Sequence, residues 1–162
     1  MPLFNMTDLR AQLLAGQRLL GIDPGSKSIG LALSDVSLML ASPHSSLKRG
    51  KLKENAGSLG RIAQKEGVGG LVVGLPLSMD GSSGPAAQAA RDWAHAISTE
   101  TGLPIALWDE RMSSSAVNRF LIQEADMTRK RRAAVVDKMA AAYMLQAALD
   151  ASRGNPIESP AM

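Results

Sequence analysis

The sequence has no cysteine among its 162 residues. This absence excludes a disulfide framework, a thiolate metal site and a thiol nucleophile, and it fits a protein of the reducing cytoplasm. Any bound metal ion must therefore be held by oxygen or imidazole ligands.

Aromatic residues and long apolar runs are also scarce. Phe, Trp and Tyr together make up 3% of the chain, which disfavours a single-strand binder that stacks bases on aromatic rings. No apolar stretch approaches the roughly 20 residues that a membrane-spanning helix needs, and residues 1–16 lack the pattern of an export signal. With 45% hydrophobic and 20% charged residues, the composition predicts a globular protein with no membrane partner.

Glycine and proline divide the chain into alternating strand-like and helix-like segments. Apolar runs at 18–23 and 29–34, separated by a turn, predict two antiparallel strands, and 37–41 with 44–47 predict a third strand at the edge of the sheet. The remaining predicted segments are helices at 53–66, 85–101, 114–125 and 135–151, and buried strands at 69–76 and 104–110. This order is typical of an α/β, ribonuclease-H-like fold with a mixed five-stranded sheet flanked by helices.

The chain length supports one domain with its own core. We expect a lead-in helix within residues 1–17, a ribonuclease-H-like domain at 18–152 and a flexible tail at 153–162.

Three acidic residues occupy positions that look buried. Asp23 and Glu110 each end an apolar strand, and Asp137 is predicted in the first turn of the last helix, on a face otherwise given to packing. Three carboxylates at neighbouring strand ends would repel one another and lose hydration, and a divalent cation removes that conflict. Oxygen ligands favour Mg²⁺ or Mn²⁺, and such a centre can hydrolyse phosphodiesters.

Each acid also has a structural explanation. Asp23 can shape the Pro-Gly turn, Glu110 can cap the helix that follows it, and Asp137 can be an N-cap. Only the combination of the three favours a hydrolytic nuclease.

Positive charge is concentrated in two segments, although the net charge is only +3. Arg129, Lys130, Arg131 and Arg132 form an unbroken run, predicted as a loop directly before Asp137. Lys48, Arg49, Lys51 and Lys53 form a looser one. Either run can contact phosphates or simply be solvated.

Four segments resemble, in order, the YqgF family of Holliday-junction-resolvase-like proteins, proposed to be nucleases for the precursor of the small-subunit ribosomal RNA. These segments are GIDPGSKSIGLALSD, VVGLPLSMDGSSGPAAQAARDWA, WDERMSSSAVNRFL and ADMTRKRRAAVVDKMAAAYMLQAALD. The resemblance implies a ribonuclease-H-like, cytoplasmic bacterial nuclease. It also implies that Asp23, Glu110 and Asp137 are catalytic ligands of Mg²⁺ or Mn²⁺. Junction resolvases carry a further acid near the last one, where this chain has Lys138.

Further residues gain candidate roles in nucleic-acid binding from this resemblance. The segment with Ser78, Gly81 and Ser82 precedes a helix N-terminus, where backbone N–H groups can hold a phosphate. Arg111 and Lys27 are near the predicted acids in sequence. An ordinary capped loop, a salt bridge and a solvated lysine are the respective structural alternatives.

The sequence leaves alternatives open for both the substrate and the function. Precursor rRNA, with the ribosomal subunit as a partner, is the favoured substrate, and branched DNA is the main alternative. A homodimer is one candidate for the oligomeric state, because junction resolvases act as symmetric dimers. A non-catalytic RNA-binding or ribosome-assembly module is a different class of function. An actin-like ATPase module is disfavoured, because the chain has no second Gly-rich phosphate loop.

Overall fold

Among the residues that the structure describes, six strands form one mixed sheet. The computed structural model describes residues 3–25, 27–75, 84–109 and 129–153, without the side chains of residues 3, 4 and 129–134. The strands are β1 (Leu3–Phe4), β2 (Arg18–Pro24), β3 (Ser28–Ser34), β4 (Ala41–Lys48), β5 (Val68–Leu75) and β6 (Ile105–Asp109). Their order across the sheet is β1-β6-β5-β2-β3-β4.

The directions of the strands agree with the predicted fold class. Strands β2, β3 and β4 pair antiparallel, whereas β5 is parallel to β2 and β6 is parallel to β5. The predicted mixed five-stranded sheet and its ribonuclease-H-like architecture are therefore confirmed. The two-residue strand β1, which the sequence did not predict, extends the sheet by pairing parallel to β6.

In the described part of the chain, four helices cover the two faces of the sheet. They are α1 (Met6–Gln12), α2 (Leu52–Glu66), α3 (Pro85–Thr101) and α4 (Arg129–Ser152). Helices α2 and α3 contribute to one buried apolar cluster, and α1 and α4 contribute to the cluster on the opposite face. Helix α3 has Pro85 in its first turn and is terminated by Gly102, the residue after the helix, whose φ of 73° places it in the left-handed region.

The alternation of side chains along β2 determines which face Asp23 occupies. Leu20 and Ile22 are fully buried in the cluster under α2 and α3, whereas Leu19 is fully buried in the cluster under α1 and α4. Because successive strand residues point to opposite faces, Gly21 and Asp23 share the face of Leu19. Asp23 therefore lies on the side of the sheet that α4 covers.

The predicted third strand is wrong in its first part. Strand β4 begins at Ala41, and the residues before it form a turn in which Leu38 has a φ of 59°. The Asp35 carboxylate stabilises this turn by accepting hydrogen bonds from the N–H groups of Met39 (2.8 Å) and Leu40 (3.1 Å). These bonds hold the pKa of Asp35 below its usual value, so Asp35 has a structural role.

The prediction of a loop at the basic run is also wrong, because α4 already begins at Arg129. Arginine, lysine and alanine are all good helix formers, so the run continues the alanine-rich helix toward its N-terminus. Asp137 consequently lies about two turns inside α4, which excludes the N-cap explanation. The predicted helix at 114–125 lies outside the described residues.

The N-terminal segment packs onto the sheet. Helix α1 is capped by Asn5, whose side chain accepts from the N–H of Asp8 at 2.8 Å. Met6 and Leu9 are buried in the same cluster as α4. The predicted tail lies almost wholly outside the described residues, and the domain boundaries stay a prediction. In the described part of the chain, no helix has the length and apolarity to cross a membrane.

Candidate active site

Asp23 lies near the end of β2, opposite Gly30 of β3 in the antiparallel ladder. Directly paired residues of such a ladder point to the same face of the sheet, which here is the face under α4. The Asp23 side chain is half-buried. Among the described residues it has no hydrogen-bond or ion-pair partner. Asp23 is therefore a partly desolvated carboxylate with free acceptor positions.

Helix α4 approaches the sheet at Gly30, the ladder partner of Asp23, and the residue of the helix at this contact is Asp137. A Cβ atom at Gly30 would lie 1.9 Å from the backbone oxygen of Asp137 and 3.0 Å from its Cα. Paired residues have Cβ positions about 4.5–5.5 Å apart. The backbone of Asp137 therefore sits over the position next to Asp23, although the two residues are far apart in sequence.

Two serine hydroxyls bind the carboxylate of Asp137. Ser28 of β3 donates to its Oδ2 atom, and Ser46 of β4 donates to the same atom at 3.2 Å. Ser46 is the ladder partner of Gly30, so Ser46, Gly30 and Asp23 form one row across three strands. Hydrogen bonds to an ionised acceptor are about twice as strong as neutral ones.

The donor set fits a hard divalent cation. Asp23 and Asp137 are both half-buried acids on the face of the sheet under α4, and two carboxylates on one such face can share a divalent cation. No described lysine or arginine forms an ion pair with either of them. Within residues 3–25, 27–75, 84–109 and 129–153, however, no group of three or more His, Asp or Glu side chains is assembled.

The remaining predicted site residues are distributed as follows. Lys27 is exposed in the turn between β2 and β3, and has no side-chain partner in the described part of the chain. Arg129, Lys130, Arg131 and Arg132 lie in the first turn of α4, but their side chains are not described. Glu110, Ser78, Gly81, Ser82 and Arg111 lie outside the described residues.

Arg49 holds the turn that carries Lys27. Its backbone N–H donates to the Lys27 carbonyl at 2.9 Å, and its guanidinium donates to the Gly25 carbonyl at 2.8 Å. The same guanidinium lies 5.2 Å from the centre of the Trp93 ring on α3. Arg49 thus has a structural role beside the site.

Three residues near the acids were not predicted as site residues. The sequence did not indicate Ser28 and Ser46 as site residues, because serine in a strand carries no distinctive signal. Lys48 was recognised only as part of a basic segment, but it pairs with Ser28 and follows Ser46 by two residues. Its exposed side chain therefore lies on the face of Asp137.

Comparison with known proteins agrees with the motifs. The model of the family described as "RuvX: Holliday junction resolvase" matches residues 17–151. A protein of Gluconacetobacter diazotrophicus named "Putative pre-16S rRNA nuclease" is 71% identical over 94% of this chain and 99% of its own length. One of the same name from Gluconobacter oxydans is 70% identical over 94% of this chain and 96% of its own length.

Among solved structures, T. thermophilus RuvC in complex with a Holliday junction substrate is 19% identical. That similarity covers 85% of this chain and 96% of RuvC, with a TM-score of 0.49. The family model spans most of the chain, and the named relatives are aligned over nearly their whole length. The chain therefore belongs to the RuvX family, the Holliday-junction-resolvase-like group that the sequence motifs indicated under the name YqgF.

Proposed function

We propose that this protein is a divalent-cation-dependent nuclease that processes the 5′ end of the 16S rRNA precursor during ribosome biogenesis in the cytoplasm. The observation that carries the proposal is the carboxylate of Asp23, which has no partner among the described residues and lies on the face where α4 places Asp137 over Gly30. Two carboxylates on one half-buried face repel each other in the absence of a cation, and a bound cation removes this repulsion. The names of the relatives support RNA as the substrate.

Asp23 and Asp137 would hold the cation, with Glu110 as a third ligand. The proposal for Glu110 is supported by the alternation along β6, where Ala106 and Trp108 belong to the cluster under α4. Glu110 follows Trp108 by two residues, so the same alternation supports a place for it on this face. When bound, Mg²⁺ or Mn²⁺ supplies an activated water and neutralises the charge that develops on the leaving oxygen.

Basic residues near the acids would bind the phosphate backbone. Lys27 and Lys48 are exposed next to the β2–β3 turn and have no ion-pair partners among the described residues. The run from Arg129 to Arg132 leads along α4 toward Asp137. Ser78, Gly81, Ser82 and Arg111 complete the proposed nucleic-acid contacts.

The decisive experiment compares cleavage of a 16S rRNA precursor and of a four-way DNA junction under identical conditions. With Mg²⁺ or Mn²⁺ we expect cleavage near the 5′ end of the mature RNA sequence, loss of cleavage in EDTA and recovery when the cation is restored. Unchanged cleavage in EDTA would contradict the cation-dependent mechanism.

Resolution of DNA junctions is the second candidate, because the matching family is described as a Holliday junction resolvase. Faster cutting of the junction than of the RNA would favour it. Cation-independent RNA binding without any cleavage would instead favour a non-catalytic assembly module.

Removal of charge from the basic run tests its role in binding. We expect the double variant Arg131→Gln/Arg132→Gln to weaken RNA binding. Its affinity should also become less dependent on salt, with the log–log slope falling by about 0.7–0.9 for each phosphate that the variant no longer neutralises. Filter binding across a salt series measures both quantities.

The matched control is Arg61→Gln/Lys65→Gln on α2, which removes the same charge from exposed positions of a helix on the opposite face of the sheet. An equal effect of both double variants would mean that only net charge matters and that the basic run is no specific contact.

A further inference from the structure

The carboxylate of Asp137 is held by hydroxyl groups from two different strands. Ser28 and Ser46 both donate to Oδ2, and neither serine side chain donates to another group in the described part of the chain. A carboxylate oxygen offers two acceptor positions, so the two hydroxyls fill the capacity of Oδ2. The atom that remains for another ligand is Oδ1.

The sheet imposes this arrangement. Ser46 pairs with Gly30, and Ser28 lies two residues from Gly30 on β3, so both hydroxyls are on the face that α4 approaches. Gly30 has no side chain to separate the backbone of α4 from the strands. The carboxylate of Asp137 consequently reaches both serines at once.

Hydroxyl donors preserve the negative charge of Asp137. A lysine or arginine at these positions would neutralise the carboxylate and compete with a cation, whereas neutral donors fix its orientation and leave its charge available. Lys48 is the basic residue paired with Ser28 in the ladder, and its side chain is exposed and forms no ion pair with Asp137.

We propose that Ser28 and Ser46 are positioning residues that fix Asp137 with its Oδ1 atom directed to the divalent cation. This inference rests on the cation-binding part of the proposed function. Groups that orient a metal ligand through hydrogen bonds typically contribute 10–100-fold to metal affinity, and we expect an effect of about this size.

The test is a titration of the full-length protein with Mn²⁺, in which free Mn²⁺ is measured by electron paramagnetic resonance without any nucleic acid. We expect Ser28→Ala/Ser46→Ala to weaken Mn²⁺ binding about 10–100-fold. The double variant Ser28→Thr/Ser46→Thr keeps both hydroxyls in a residue that strands favour, so we expect it to stay close to wild type. The control is Ser42→Ala, which removes an exposed β4 hydroxyl with no hydrogen-bond partner among the described residues.

Circular dichroism in EDTA establishes that each variant is folded. If the double alanine variant does not fold, Ser46→Ala alone is compared with Ser46→Thr. Wild-type affinity in the alanine variants, or equal losses with threonine and alanine, would overturn the proposal. Cleavage of RNA by a wild-type protein that binds no Mn²⁺ would overturn it too.

The same titration separates this inference from the proposed nuclease activity. Serine-dependent Mn²⁺ binding in a protein that cuts no nucleic acid would support the positioning role and contradict the nuclease. Cleavage by the alanine variants with unchanged Mn²⁺ affinity would support the nuclease and contradict the positioning role.

Discussion

Replacement of Gly30 by alanine is expected to impair both folding stability and nuclease activity. The new Cβ would lie 1.9 Å from the backbone oxygen of Asp137, and backbone atoms cannot move aside as the end of a flexible side chain can. Helix α4 must therefore move away from β3. Overpacking of this kind costs about 1–3 kcal/mol or more.

Gly30→Ala should also lower the rate of cleavage. A displacement of about 1 Å in a catalytic group can lower the rate a hundredfold, and the displaced segment carries Asp137. Urea denaturation and single-turnover cleavage, both measured at a temperature where the variant is folded, test the two parts.

The control is Gly60→Ala in α2, where a Cβ atom would meet nothing within 4 Å. Because glycine in a helix is less favourable than alanine, this variant should gain about 0.5–1 kcal/mol and cleave normally. Wild-type stability and activity in Gly30→Ala would contradict the close approach of α4 to β3.

The acid-to-amide variants Asp23→Asn and Asp137→Asn are expected to lose cleavage while remaining folded. Each change removes a charged ligand from the proposed cation site. Cation catalysis supplies several kcal/mol of transition-state stabilisation, so the rate should fall at least about a hundredfold. Single-turnover cleavage at saturating Mg²⁺ measures the loss.

Stability in EDTA distinguishes this functional role from a structural one. Asp23 is half-buried and has no partner in the described part of the chain, so Asp23→Asn should leave the melting temperature unchanged or raise it. In Asp137→Asn the amide oxygen can still accept from Ser28 and Ser46.

Asp150→Asn is the control, because this exposed carboxylate near the end of α4 pairs with Arg153 at the surface and should be dispensable for activity. Full activity in Asp23→Asn would contradict the nuclease mechanism. A large loss of stability in that variant would point to a structural role instead.

Much of the fold was predictable because its signals are local. The apolar run of β5 predicts that strand with nearly the observed bounds. Pro85 and Gly102 likewise predict where α3 begins and ends. The turn at 35–40 was not predictable from hydrophobicity, because it is stabilised by hydrogen bonds that the Asp35 carboxylate accepts from the backbone. The start of α4 was missed because a run of like charges was interpreted as a loop.

The candidate site was predictable only in part. Asp23 stands out as an acid that ends an apolar strand, and Asp137 as an acid on a packed helical face. Their juxtaposition depends on where α4 crosses β3, which is a tertiary contact without a local signal. The row of Ser46, Gly30 and Asp23 depends on the register of two strand pairs, which the sequence alone did not determine.

The row formed by Ser46, Gly30 and Asp23 has a consequence for the order of folding. Strands β2, β3 and β4 are neighbours in sequence and pair through short connections, so they can form early at a small entropic cost. Asp137 joins them only after a much longer loop closes. The chain therefore completes the proposed catalytic centre in the step that seats α4, and a nascent chain that still lacks this helix has only one of these two proposed ligands.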